Sequence, residues 1–295
     1  MGRGAENLWR IALDDVKVAN VNTDVLFCGT DLAARIERAE TQLIVAATHA
    51  AASRGADVLA VPVAGGYACF AEPHSPLNKV VGLGFDGVPD TALLGEVEHM
   101  MAERGAATQV ELSTLADPAI AAMLTARGYH VAGFEDILGR VPTGDEQSVP
   151  GVEVRRADDL TAWVNVVVDG FAHPDGVGVP SHEEFPRDVI ERVERDLEKA
   201  GATAYIALCE GVVAGGGSAR FADGIAQLAG AATAPAYRRR GVQTALLAAR
   251  LTDAAAAGCD IAVVTTAPGS QSQQNVQRRA FQLLYTRAVL VKAPG

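Results

Sequence analysis

Three consecutive arginines and a glycine, Arg238, Arg239, Arg240 and Gly241, stand between the alanine-rich segment IAQLAGAAT and a long stretch in which Val242, Leu246, Leu247 and Leu251 recur at helical spacing. The chemistry this arrangement fits is binding of a phosphorylated ligand. A strand that exits through Pro235 delivers the chain to a helix N-terminus, and Gly241 lets the backbone approach the ligand. Free amides of the first helical turn, reinforced by the helix dipole, match a pyrophosphate. An arginine run alone is usually a solvated face, but its place at a strand-to-helix junction of an acidic chain favours the binding role. The loop is neither a Walker loop, because no GxxxxGKS or GxxxxGKT occurs, nor a GxGxxG dinucleotide fingerprint. Gly215, Gly216 and Gly217 precede a strand and fit hairpin geometry.

A second group of reactive side chains lies in AHPDGVGVPSHEEF. His173, Asp175, His182, Glu183 and Glu184 offer histidines and carboxylates able to take a proton from an ammonium group, directly or through water. The same residues also suit plain structural duties, Glu183 and Glu184 at a helix N-terminus and His173 before Pro174 in a turn. They lack metal-ligand spacing, and the expectation is no metal. Cys28, Cys69, Cys209 and Cys259 are widely separated, with no CxxC pair, and fit a reduced protein; Cys209 and Cys259, on expected strands, read as core thiols.

The formal charge of −11, from 25 basic and 36 acidic residues, argues against nucleic acid as a partner and mildly for a cationic one. No apolar run is long enough to span a membrane, and the opening MGRGAENLWRIALDDVK has no apolar core. The expectation is a cytoplasmic protein without membrane contact, as monomer or homodimer.

The elements that must position these groups fall into two halves, separated at RVPTGDEQSVPG. The later half reads as a short strand at 152–154, helices over 160–170 and 186–199, a hairpin across Glu210-Gly211, a strand at 225–233 and the helix after Arg239. A strand at 260–265, a short polar helix at 272–279 and a closing strand at 281–291 complete it. Trp163 packs the first of these helices on its sheet. The earlier half repeats the latter part of the plan: a strand at 80–85, a helix capped by Asp90, a strand at 110–112, a helix starting at Asp117-Pro118 and a strand at 129–138. Gly105 to Gly128 is 23 positions and Gly258 to Ala280 is 22, which suggests a duplication.

At Arg238 to Gln243 the sequence resembles the GNAT superfamily of N-acetyltransferases, whose signature is a strand, then Q/R-x-x-G-x-G/A, then a helix that cradles the acetyl-CoA pyrophosphate. Gln243 departs from the family's Gly or Ala. The resemblance implies an α/β fold of two GNAT-like domains, each a mixed, mostly antiparallel twisted sheet flanked by helices: a degenerate copy at 1–145 and an acetyl-CoA-binding catalytic domain at 146–295. It implies cofactor contacts at Ala232, Thr233, Arg238, Arg239, Arg240, Gly241, Val242, Gln243, Thr244 and Asn275. The earlier junction, GLGFDGVPDTALL, carries Asp86 and Asp90 and no arginine, so carboxylates there would repel a pyrophosphate.

The implied reaction is transfer of an acetyl group from acetyl-CoA to a small-molecule or protein amine by direct attack. The family's tyrosine acid has no counterpart in SQQNVQRRAF, which leaves Tyr285 on the closing strand as the nearest hydroxyl, shared with a core role, and His173 and Glu183 as candidate bases. Two other classes stay open: a CoA-binding regulatory or assembly module without catalysis, favoured by Gln243 and the missing tyrosine, and a nucleotide-binding protein, which lacks a phosphate lysine and Mg²⁺ ligands.

Overall fold

The computed structural model of the protein describes residues 25–173 and 185–294. The elements run α1 (Thr30–Ser53), β1 (Leu59–Val63), β2 (Gly66–Phe70), β3 (Lys79–Val81), α2 (Thr91–Glu103), β4 (Thr108–Ser113), α3 (Pro118–Ala126) and β5 (His130–Arg140). They continue through β6 (Glu153–Arg156), α4 (Leu160–Ala172), α5 (Arg187–Lys199), β7 (Thr203–Cys209), β8 (Val212–Ala222) and β9 (Ile225–Thr233). Then come α6 (Val242–Ala256), β10 (Ile261–Thr266), α7 (Gln271–Gln277) and β11 (Gln282–Lys292). The strand expected at 80–85 is shorter, because Gly82 and Gly84 turn the chain at φ 77° and 105°.

The two expected sheets are one. Among the described residues, eleven strands pair in the order β1-β2-β3-β4-β11-β5-β10-β9-β8-β7-β6. In each half two parallel strands are joined through a helix: β3 and β4 meet at Val80↔Val110, and β9 and β10 from Ile225↔Ile261 to Gln227↔Val263. The neighbour of each second strand then comes from the opposite half. β11 lies antiparallel on β4, β5 lies antiparallel on β10, and β5 and β11 pair with each other along most of their length. Local hydrophobic patterning cannot announce this exchange, since a strand of the same period satisfies either neighbour.

Alternation along β5 shows the layers. Leu138 packs in the cluster of α6 residues Val242, Leu246 and Leu251, while Ile137 packs with Ala33, Ile36 and Ala39 of α1. Helices α2 and α3 pack on the former face of the sheet, and α1, α4 and α5 on the latter. Trp163 is buried on α4, and its indole N–H donates to the Gly217 carbonyl at 3.1 Å.

Under α1, β11 carries a fully buried arginine. Arg287 donates from Nε to Glu37 at 2.7 Å and from Nη2 to Glu40 at 2.5 Å, and its Nη1 lies 3.6 Å from both Glu111 and Glu135. Lys79 pairs with Glu111. Burial opposes the guanidinium charge, but Glu37 and Glu40 hold its pKa well above the ordinary value. Burial, with Glu111 next in weight, pushes the Glu135 carboxyl up to about 7.

Candidate functional site

β9 ends at Thr233, a short 3-10 turn spans Pro235–Tyr237, and the loop then climbs into α6. Arg239 stands at φ 60° and Gly241 at φ 81°, two left-handed residues that turn the chain sharply onto the helix axis. Gly241 is the helix cap and supplies no side chain, so no side-chain acceptor meets the first turn. The first helix amide with a backbone acceptor is that of Ala245, on the Gly241 carbonyl at 2.9 Å. The amides before it are the donors a pyrophosphate needs.

The arginines around this turn differ. Arg238 is half-buried and its guanidinium donates to the His173 carbonyl, which ties the loop to the end of α4. Arg239 is exposed. Arg240 lies over the Tyr237 ring at 5.3 Å and 3.4 Å from Glu210, on the exposed flank. Val242 is buried in the α6 core, and Thr244 is half-buried. Gln243 and Asn275 meet: the Asn275 amide donates to Gln243 Oε1, and Gln271 donates to Asn275 Oδ1 at 2.9 Å. The residue that departs from the signature therefore couples α6 to α7.

Beside the loop, the two parallel strands part. Pairing between β9 and β10 stops at Gln227↔Val263, after which β10 continues only with β5. Against β8, β9 carries a bulge: Gly216 pairs with Ala232 and Ser218 with Ala229, so β9 has one extra residue there, with Gly230 at φ 59°. Residues 225–228 are buried, Ala229 is exposed, and Gly230 through Thr233, including Ala232 and Thr233, are half-buried. The strand becomes accessible where its partner leaves it.

Two charged side chains that the sequence reading did not single out flank the bulge. Arg250, buried on α6, donates from Nη1 to the carbonyls of Ser218 at 3.0 Å and Ala229 at 3.2 Å, and burial lowers its pKa to about 10. Glu194, buried on α5, lies at the opposite side: a Cβ placed on Gly230 would sit 3.2 Å from Ser218 Oγ and 3.4 Å from Glu194 Oε2. Burial alone pushes the Glu194 carboxyl up to about 7. Signals existed for part of this. Glycine inside a strand marks a bulge, and Arg250 interrupts the apolar stripe of α6. Nothing in ERVERDLEK separates Glu194 from its charged neighbours.

The remaining predicted residues are dispersed. His173 closes α4, 59% exposed, with Nδ1 2.9 Å from the Asp169 carbonyl oxygen. Asp175, His182, Glu183 and Glu184 lie outside the described residues. Tyr285 is buried and donates its hydroxyl to Glu37 at 2.7 Å, in the cluster of α1 rather than that of α6. Burial, then the Glu37 charge, drives its pKa upward. Among the described residues no group of His, Cys, Asp and Glu has the arrangement of a metal site, and no helix is long and apolar enough to cross a membrane. Cys209 and Cys259 are buried.

Residues 171–281, which span both the arginine loop and α7, match the Acetyltransferase (GNAT) family. No curated protein matches the sequence. A GCN5-related N-acetyltransferase from Kribbella flavida is similar over 90% of this chain and 96% of its own, at 21% identity and a TM-score of 0.62. A tandem GNAT protein from the clavulanic acid biosynthesis pathway is 15% identical, with a TM-score of 0.54 and 69% of each chain covered. A GCN5-related N-acetyltransferase from Sphaerobacter thermophilus, also 15% identical, has a TM-score of 0.50 over 69% of this chain and 66% of its own. The chain has a GNAT-like α/β fold, built on one continuous mixed sheet, with a family-level match over the segment that forms the candidate site.

Proposed function

We propose that this protein is an acyl-CoA-dependent N-acyltransferase that moves the acetyl group of acetyl-CoA to a primary amine by direct attack in a ternary complex. The observation that carries the reading is the N-terminus of α6: amides without a side-chain cap, opened by Gly241 and set beside the gap between β9 and β10. Those amides hold the pyrophosphate, with Arg238, Arg239 and Arg240 supplying positive charge around them. Ala232 and Thr233 line the pantetheine arm, and Gln243 and Asn275 close its far side. N–H groups of β9 released from β10 stabilise charge on the thioester carbonyl. His173 at the end of α4 stays a candidate acceptor-side group, as does Glu183. Tyr285 serves the packing of α1 on β11.

In this reading the halves at 1–145 and 146–295 descend from one unit, and only the later keeps a cofactor loop. The acceptor is a cationic amine, consistent with the charge of −11. Calorimetry with acetyl-CoA, together with mass analysis of amines incubated with it, tests the assignment. Wild type binds and acetylates; a variant carrying Arg240→Ala and Gly241→Asp loses binding, and unchanged affinity in that variant rejects the site. A second reading, CoA binding without turnover, is favoured by α7, which has Gln and Asn where a proton donor would stand. Tight CoA binding without acetylation of any amine selects it.

A further inference from the structure

Glu194 is a buried carboxylate with no hydrogen-bond or ion-pair partner among the described residues. Its Oε2 is sealed from solvent and accepts no hydrogen bond, and no ion pair or hydrogen bond to Oε1 occurs either. The Oε2 oxygen lies next to Gly230, 3.4 Å from where a Cβ on that residue would stand, at the bulge where β9 becomes accessible beside the β9–β10 gap. Several cations of the surrounding elements are engaged elsewhere. Arg192 of α5 pairs with Glu72 and Asp188, and Arg195 reaches Thr161 of α4. Arg54, following α1, holds Asp196, Arg220 of β8 holds Gln227, and Arg250 binds carbonyls from the other side of the sheet.

An unpaired carboxyl in such a place is costly unless it is protonated or meets a cation. We infer that Glu194 receives the ammonium group of the acceptor and takes its proton, acting as the catalytic base of the transfer. This rests on the acyltransferase reading above. One proton passes from R–NH₃⁺ to the Glu194 carboxylate and on to solvent. The freed lone pair forms the C–N bond at the thioester carbon, the C–S bond breaks, and the thiolate leaves with a second proton from the same nitrogen as CoA–SH. The third stays on the amide. The raised carboxyl, at about 7, suits a base that must be partly ionised near neutrality. The extra residue and φ of 59° at Gly230 bend the strand beside the carboxylate, where a Cβ would be tight against Ser218 Oγ at 3.2 Å and in ordinary contact with Oε2 at 3.4 Å.

The test uses the full chain, CoA and acetyl-CoA, with n-butylamine as a minimal primary amine. In the CoA complex near pH 6, infrared difference spectra of wild type show a carboxylic acid stretch that disappears on adding butylammonium and is absent in Glu194→Gln. That variant keeps wild-type CoA affinity, which also reports its folding, binds butylammonium at least tenfold more weakly, and loses the ascending limb of the pH–rate profile for N-butylacetamide formation. Equal butylammonium affinity and an unchanged pH profile in Glu194→Gln overturn the role of Glu194 alone. Failure of wild type to bind CoA overturns the acyltransferase reading instead.

Discussion

Two helix N-termini occupy corresponding places in the two halves, each after the first strand of a parallel pair, and they treat their free amides in opposite ways. At α2, Asp90 turns its carboxylate back onto the helix and accepts from the amides of Ala92 at 2.8 Å and Leu93 at 3.1 Å. At α6, Gly241 has no side chain to offer, and the cations precede it. The same backbone device is thus closed by a structural cap in one half and left without a side-chain cap in the other, where the proposed function places an anion. A single residue type at the cap position separates them, and the charge it brings has the sign a phosphate would bring.

Substitutions at the seam between the halves and at the two helix ends separate their roles. The largest effect is expected where the halves are welded. Arg287→Met leaves the buried Glu37 and the half-buried Glu40 without their cation, and loss of about 3–5 kcal/mol in denaturant unfolding is expected. Next is Gly241→Asp, which gives α6 the cap of α2. CoA affinity measured by calorimetry falls roughly 100-fold, about 2.7 kcal/mol. Gly241→Asn, which also tolerates the left-handed φ and meets the same Val149 contact, loses much less, and so isolates the charge.

Glu194→Gln comes third. The Glu194 carboxyl is raised from 4.5 to about 7 on folding, so its contribution to stability is full below about pH 4.5 and is lost as pH rises through 7. The variant is more stable than wild type by about 1–3 kcal/mol near pH 8 and by little near pH 4.5, read from thermal unfolding at each pH. The smallest effect is at the closed cap: Asp90→Ala costs about 1 kcal/mol of stability and leaves CoA affinity unchanged. A fall in CoA affinity there would mean that the two helix ends are coupled.

Much of the fold was readable in the chain because it is local. Asp90, Asp117 and Gly241 each mark a helix start, and the apolar stripes of α2, α3 and α6 face the sheet as spaced. The division at 140–151 also reads as a loop between strands. It does not divide the sheet, since β11 returns between β4 and β5. That outcome depends on pairing between residues more than 140 positions apart, as at Arg287↔Glu135 and Arg287↔Ser113. No periodicity within a strand encodes its neighbour.

The candidate site shows the same split. Arg238 to Gly241 declare themselves because a helix start, a left-handed glycine and charge are properties of consecutive residues. Glu194 does not, because a glutamate in a charged helix is chemically ordinary until packing removes its water and its partners. Consecutive residues alone marked the helix start at which the proposed function places an anion; packing in space fixed that both halves share one sheet and that Glu194 lies buried beside the gap. Backbone conformation and capping follow from neighbours along the chain, whereas desolvation and strand order follow only from neighbours in space.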